Sequence, residues 1–278
     1  NLGFLWADRP LPDAIRAARA AGFDAVECHW PHGTPAAEVA RALDETGLPM
    51  LGLNTRRGDI SRGENGLAAL PGREDEARAA IDESIAYARA IDCGAVHVMA
   101  GNSGGPLARA AFVANLRHAC TAAPDRTILI EPLNPYNSPG YFLNGTAQAA
   151  DIIREVGQPN LRLMFDFYHI QILEGDVTRR FAALKPLIGH VQVASVPDRG
   201  APDHGELDYA HVLKALAAEG WDRPIGAEYL PKGPTELTLG WLRAYANGGR
   251  AHPVMSGVAG KMSEADMKAV SEYIAGLR

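Results

Sequence analysis

Cysteine is scarce in this 278-residue chain, and its three copies, Cys28, Cys93 and Cys120, are scattered, with no CxxC pair. That excludes a disulfide framework or a zinc knuckle and fits a reducing, cytoplasmic setting. No run of about eighteen apolar residues occurs, so no membrane-spanning helix is expected. Positive charge is not in excess: the formal net charge is −6. A sequence-independent grip on nucleic acid needs the opposite balance, although local Arg and Lys suffice for a small anion. Low-complexity segments are missing. So is a GxGxxG after the first strand-like run, which disfavours an open doubly wound, dinucleotide-binding sheet. The opening residues Asn1–Trp6 lack the basic and apolar regions of a signal peptide. They read as a strand, so a few native residues are expected ahead of them.

What the chain does have is a large apolar fraction, 47%, cut into short runs that alternate with amphipathic segments. Strands are predicted at Leu2–Trp6, Ala25–Cys28, Met50–Leu53, Ala95–Met99, Thr127–Ile130, Leu161–Asp166, Ile188–Ala194 and Ile225–Glu228. Helices are predicted between them near 12–21, 36–45, 74–91, 107–122, 146–156, 177–184 and 209–219, with an eighth near 235–245. Starts and stops agree, with Pro12 opening the first helix and Gly22 closing it. Eight βα units in about 245 residues predict right-handed crossovers and a closed (β/α)8 TIM barrel, an α/β fold, over residues 1–245. Residues 246–278 are predicted to be an appended helical tail. The polar stretch Thr55–Arg73 is a long loop, and such loops are often functional lids.

In a barrel, strand C-terminal ends converge on one mouth. The run Leu161–Phe165 ends on Asp166; Thr127–Ile130 leads to Glu131, Gly189–Val191 to Gln192, and Pro224–Ala227 to Glu228. Each alone reads equally well as a solvent-facing strand end or a helix cap. Together they are three carboxylates and one amide carbonyl. Crowded carboxylates raise one another's pKa unless a cation intervenes. An all-oxygen set suits Mg2+ or Mn2+ better than zinc. Around them, His169 is a candidate to hydrogen-bond a substrate oxygen or orient a ligand. Arg199 is a candidate fork for a substrate carboxylate, or a surface partner of Asp198 or Asp203. Glu206 reads as a hydroxyl contact or a cap for the helix at Tyr209. Lys232, Arg56 and Arg57 are further cations able to meet an anion or to sit in solvent. Asn54 is a mouth residue after the third strand, and His97 reads as a core histidine.

Several motifs resemble the hydroxypyruvate isomerase family, within the xylose-isomerase-like barrels. They are Ile130-Glu131-Pro132-Leu133-Asn134, Phe165-Asp166-Phe167-Tyr168-His169, His190-Val191-Gln192-Val193-Ala194, Pro197-Asp198-Arg199, Gly205-Glu206-Leu207-Asp208-Tyr209 and Ile225-Gly226-Ala227-Glu228-Tyr229. Arg57-Gly58-Asp59 and the stretch from Gly66 to Arg73 belong to the same likeness. The resemblance covers about residues 1–245. It implies metal ligation by Glu131, Asp166, Gln192 and Glu228, with Glu131 and Glu228 as the acid/base pair. It also implies a small hydroxy-keto acid substrate, most readily hydroxypyruvate, with 2-oxo-tetronate or another sugar acid as the near alternative. Apurinic endonuclease, a third relative of this barrel type, would need a His-rich multi-zinc site and a basic face. A sugar-acid-binding barrel without catalysis would not need four strand-end ligands.

The last segment resembles the end of a small c-type cytochrome, with Met255 at the haem-ligand position. No CxxCH occurs, so no haem is expected. Met267, Val270, Ile274 and Leu277 form an apolar stripe, expected to be covered by the barrel or by a neighbouring subunit in a homo-oligomer.

Overall fold

The computed structural model describes residues 1–246. Six parallel strands form one sheet in sequence order: β1 (Leu53–Asn54), β2 (Ala95–His97), β3 (Thr127–Ile130), β4 (Leu161–Asp166), β5 (Ile188–Val193) and β6 (Ile225–Ala227). Helices α1 (Leu11–Ala20), α2 (Ala36–Thr46), α3 (Glu74–Ala90), α4 (Gly105–Ala122), α5 (Thr146–Val156), α6 (Phe167–Leu173), α7 (Val177–Leu184), α8 (Tyr209–Ala218) and α9 (Gly240–Ala246) alternate with them. The sheet curls into a TIM barrel. Register brings Asp166 opposite Gln192, and Gln192 opposite Gly226. The three strand ends therefore share one rim.

Burial explains why these runs become strands. Leu163, Phe165 and Val191 are fully enclosed, and Phe165 and Phe181 meet edge to face at 5.7 Å, with Phe181 against Trp221 at 5.6 Å. Such aromatic pairs add to the area they bury and fix α7 and α8 against the sheet. Helix ends follow the local code. Gly47 and Gly157 close α2 and α5 in the left-handed conformation, and Asp208 caps α8 by accepting from the Ala210 and His211 amides.

Two expectations for the first strands are corrected. Leu2–Trp6 is a turn, not a strand. Its peptide groups curl to cap one another, with Leu5 N donating to Asn1 O at 3.0 Å. Residues 25–28 carry one isolated bridge, Val26 with Met50, though Leu51 N and Cys28 N still pair across the gap with Val26 O and Gly52 O. The barrel closes at its rim through Asn1 and Leu2: the Asn1 amine donates to Ala227 O at 2.7 Å, and Leu2 N to Glu27 O at 2.8 Å. Beneath that closure lies a hollow of about 200 Å³ lined by Leu5, Val26, Ile225 and Trp241.

A helix not expected from the sequence, α6, begins directly after Asp166. The Asp166 carboxylate accepts from the Tyr168 amide at 2.9 Å and so caps it. The loop 55–73 is packed, not a free lid: Gly66 bridges Ala100, and Ala69 N donates to Ala100 O at 2.7 Å. A side chain at Gly66 would meet Met99 O at 2.6 Å, so only glycine lets the loop approach this closely. No helix among the described residues is long and apolar enough to cross a membrane. The predicted tail, with Met255, lies outside the described residues.

Candidate active site

Glu131, Asp166, Gln192 and Glu228 all reach the barrel mouth and are all buried. One ligand atom from each of Glu131, Asp166, His169 and Glu228 lies within 4.8 Å of the others. Gln192 joins them, its Nε2 lying 3.4 Å from Glu228 Oε1. Glu131, His169 and Glu228 of this group line a cavity of about 280 Å³ together with Trp30, Asn54, Arg57, His97, Asn137 and Arg199.

Three oxygens in this group, Glu131 Oε1, Asp166 Oδ2 and Gln192 Oε1, are buried with no hydrogen-bond partner. Buried acceptors left so are costly unless something electropositive meets them. Their burial without partners, beside the clustered carboxylates, fits a divalent cation.

His169 is different. Its Nδ1 accepts from the Asn134 backbone N–H at 3.0 Å. A backbone amide only donates, so in the neutral ring the proton stands on Nε2. Burial, with the Arg199 charge adding to it, pushes the imidazole down to about 3 and keeps it neutral. His169 therefore offers a donor to an oxygen. Proximity groups it with the carboxylates, but with the proton on Nε2 it presents a donor to them rather than a lone pair.

The two glutamates sit in unequal fields. Burial alone would raise Glu228, but the Arg199 guanidinium at 2.5 Å and the His29 ring at 2.9 Å outweigh it and hold the carboxyl well below its usual range. Glu131 has no such partner; burial, then the charges of Glu228 and Asp166, push it well above. Asp166 is raised by burial and by Glu228 to about 7. Burial thus disfavours charge on Glu131, while Arg199 and His29 favour it on Glu228.

The other candidates divide. Asn54 closes β1 and lies 3.2 Å from His97 Nδ1, at the cavity wall. Arg199 turns inward to Glu228, leaving Asp198 to Lys232 and His204 on the surface. Lys232 is 73% exposed and bonded to Asp198 at 2.6 Å, so it does not enter the site. Glu206 is exposed and absent from the cavity lining; the cap of α8 is Asp208. The loop after β5 folds back, with Glu206 N on Val196 O, which leaves Glu206 outside, while Lys232, after β6, is held at the surface by Asp198.

Sequence reasoning missed Glu27, 4% exposed. It accepts from Gln192 Nε2 at 3.0 Å and lies 2.6 Å from His190 Nε2. A side chain at residue 226 would strike Glu27 Oε1 at 2.3 Å, so Gly226 makes its room. The signal was present: an acid inside the apolar run Ala25–Cys28. His29 was missed too, following that run directly.

A family model described as Xylose isomerase-like TIM barrel matches residues 15–245. The chain belongs to that family. A Mus musculus protein provisionally named hydroxypyruvate isomerase is 40% identical over 266 residues, covering 91% of this chain and 96% of the relative. The 2-oxo-tetronate isomerase of Cupriavidus necator is 42% identical over 251 residues, 88% of this chain and 96% of that protein. Among solved structures, one from Brucella melitensis described as AP endonuclease, family 2, is 38% identical with a TM-score of 0.85, covering 88% of this chain and 97% of the other. In this family member Glu131, Asp166 and Glu228 cluster with His169, Gln192 Nε2 lies beside Glu228, and Arg199 and Asn54 line the adjoining cavity.

Proposed function

We propose that this protein is a divalent-metal-dependent isomerase of small hydroxy-oxo acids, interconverting hydroxypyruvate and tartronate semialdehyde (2-hydroxy-3-oxopropanoate). The observation that carries the reading is the cluster of Glu131, Asp166 and Glu228, with partnerless buried oxygens on Glu131, Asp166 and the adjoining Gln192 and with opposite protonation bias on the two glutamates. Relatives with isomerase names at about 40% identity support it. Glu131, Asp166, Gln192 and Glu228 would hold the cation, and oxygen donors suit Mg2+ or Mn2+; bound there, it supplies electrostatic stabilisation to charge developing on the substrate oxygens.

The chain's own groups account for the proton movements. Glu228, ionised at rest, takes a proton from C3 of hydroxypyruvate and leaves an enediolate. Glu131, biased by burial toward its protonated form, returns a proton to C2, and the C3 hydroxyl proton passes to the C2 oxygen. His169 Nε2–H hydrogen-bonds an oxygen on which negative charge gathers. For the return reaction the two carboxyl groups exchange roles. Arg199 keeps Glu228 charged inside a buried site and is anchored over the rings of Phe4 and Tyr168 at 4.8 and 5.1 Å.

A cavity of about 280 Å³ suits acids of three or four carbons. A 2-oxo-tetronate substrate is the near alternative and follows the same chemistry. An endonuclease reading fits poorly with a net charge of −6. All three cysteines are free and buried, which fits a cytoplasmic setting. The test is a panel of three- and four-carbon hydroxy-oxo acids assayed after chelation, with Mg2+ or Mn2+ restored. Turnover of hydroxypyruvate with solvent deuterium entering C2 supports the proposal; no turnover of any member rejects it.

A further inference from the structure

We infer that Arg57 is the anion receptor of this cavity and takes the carboxylate end of the substrate. The inference rests on the sugar-acid reading above and assigns the residue that makes the site select acids. The cavity wall supplies the first observation. Arg57 lines the same space as Glu131, His169 and Glu228. Its guanidinium lies flat on the Trp30 ring, 4.6 Å from the centroid. Its Nε is buried and has no acceptor.

The second observation is what neighbouring arginines do. Arg56 is clamped by Glu83 through two bonds, Arg73 by Glu64 and Glu76, and Arg199 by Glu228. Among the described residues no carboxylate pairs with Arg57. Arg199, offered from the sequence for the substrate carboxylate, is already engaged by a catalytic carboxyl group. An anionic substrate entering beside Glu131, Asp166 and Glu228 needs a cation that none of them has neutralised. Arg57 is in that position.

The third is preorganisation. Trp30 Nε1 donates to Met99 Sδ at 3.3 Å, fixing the indole on which the guanidinium rests. Gly66 N donates to Arg57 O at 2.8 Å, and Gly66 itself packs on Met99 and Ala100. The loop is thus pinned on both sides of the arginine. A planar guanidinium held on an aromatic face loses little freedom on binding, and its fork matches a carboxylate. Asn65, Asn137 and Ser138 line the same cavity and add neutral donors and acceptors around the bound acid.

The experiment uses the full chain loaded with Mn2+. Tartronate, a three-carbon diacid that cannot isomerise, is titrated against wild type, Arg57→Leu, Arg57→Lys and Arg56→Leu by calorimetry. KM and kcat for hydroxypyruvate are measured alongside. Loss of a charge-assisted pair predicts roughly ten- to a hundredfold weaker tartronate binding in Arg57→Leu, a matching rise in KM, and kcat within about threefold. Arg57→Lys should recover part of the affinity, and Arg56→Leu should match wild type. Unchanged tartronate affinity in Arg57→Leu overturns the inference, as does a fall in kcat at constant KM. Wild type that takes up no tartronate also overturns it. Wild type that binds tartronate through Arg57 but isomerises no hydroxy-oxo acid leaves the receptor standing and removes the isomerase reading.

Discussion

Glu27 accepts the side-chain N–H of Gln192 at 3.0 Å while the carbonyl oxygen of that same amide lies buried without a partner. An amide has two chemically opposite ends, and a carboxylate can hold only the donor end. Glu27, with Glu228 Oε1 as a longer second acceptor at 3.4 Å, thus fixes the donor end of Gln192 and leaves its carbonyl oxygen free. His190, at 2.6 Å from the other Glu27 oxygen, holds that carboxylate ionised against its burial.

Glu27→Gln would remove this selection, since a glutamine accepts or donates with equal ease. Mn2+ affinity of the chelated protein, read by calorimetry, is expected to fall about ten- to a hundredfold, in line with other groups that orient metal ligands. The fold should persist because the replacement is isosteric. Wild-type Mn2+ affinity in Glu27→Gln would mean that Gln192 needs no such guide.

Glu131→Gln and Glu228→Gln are each expected to lower turnover by roughly a hundredfold or more. Their exchange behaviour should differ. Glu228→Gln should stop loss of the C3 proton from hydroxypyruvate in deuterated solvent, followed by NMR. Glu131→Gln should permit C3 exchange while blocking delivery to C2. Equal exchange in wild type and Glu228→Gln would reassign the base.

Asp166 links metal binding to pH. Its carboxyl is raised from 3.8 to about 7 in the metal-free fold, by burial first and then by Glu228. A cation must displace that proton and the one that burial favours on Glu131, so Mn2+ affinity should rise with pH through about 7. For folding the sign is the reverse of the usual carboxylate. The native state binds the proton more tightly, so this contribution is fully present below about 4 and is lost as pH rises through about 7. Thermal melts of chelated wild type and Asp166→Asn, compared at about pH 5 and about pH 8, isolate the effect. Wild type should lose stability relative to the variant at the higher pH, and a constant difference would contradict this.

Removal of residues 247–278 should leave hydroxypyruvate turnover largely intact. Every side chain assigned to the site comes from positions 27 to 228, and Trp241 and Leu242 in the retained α9 are buried in the core. The purified full chain should show no Soret band, because it has no CxxCH. Stoichiometric haem, or a folded truncated protein without turnover, would count against this division of the chain.

The sequence by itself determined the barrel and its four strand-end donors. Alternation of short apolar runs with amphipathic segments is a local pattern, and a strand that ends on Glu131, Asp166 or Glu228 must deliver it to the mouth wherever the other strands lie. Only the tertiary structure decided the rest. Whether Arg199 or Lys232 enters the cavity depends on the paths of the loops after β5 and β6, which no periodicity encodes. That Glu27 orients Gln192 depends on two segments some 165 positions apart meeting over Gly226. The opposite protonation biases of Glu131 and Glu228 arise because Arg199 and His29 bond directly to Glu228, whereas at Glu131 burial and the neighbouring carboxylates outweigh the more distant Arg199 charge. Composition fixes how many charges a chain carries; burial and distance fix which of them are opposed.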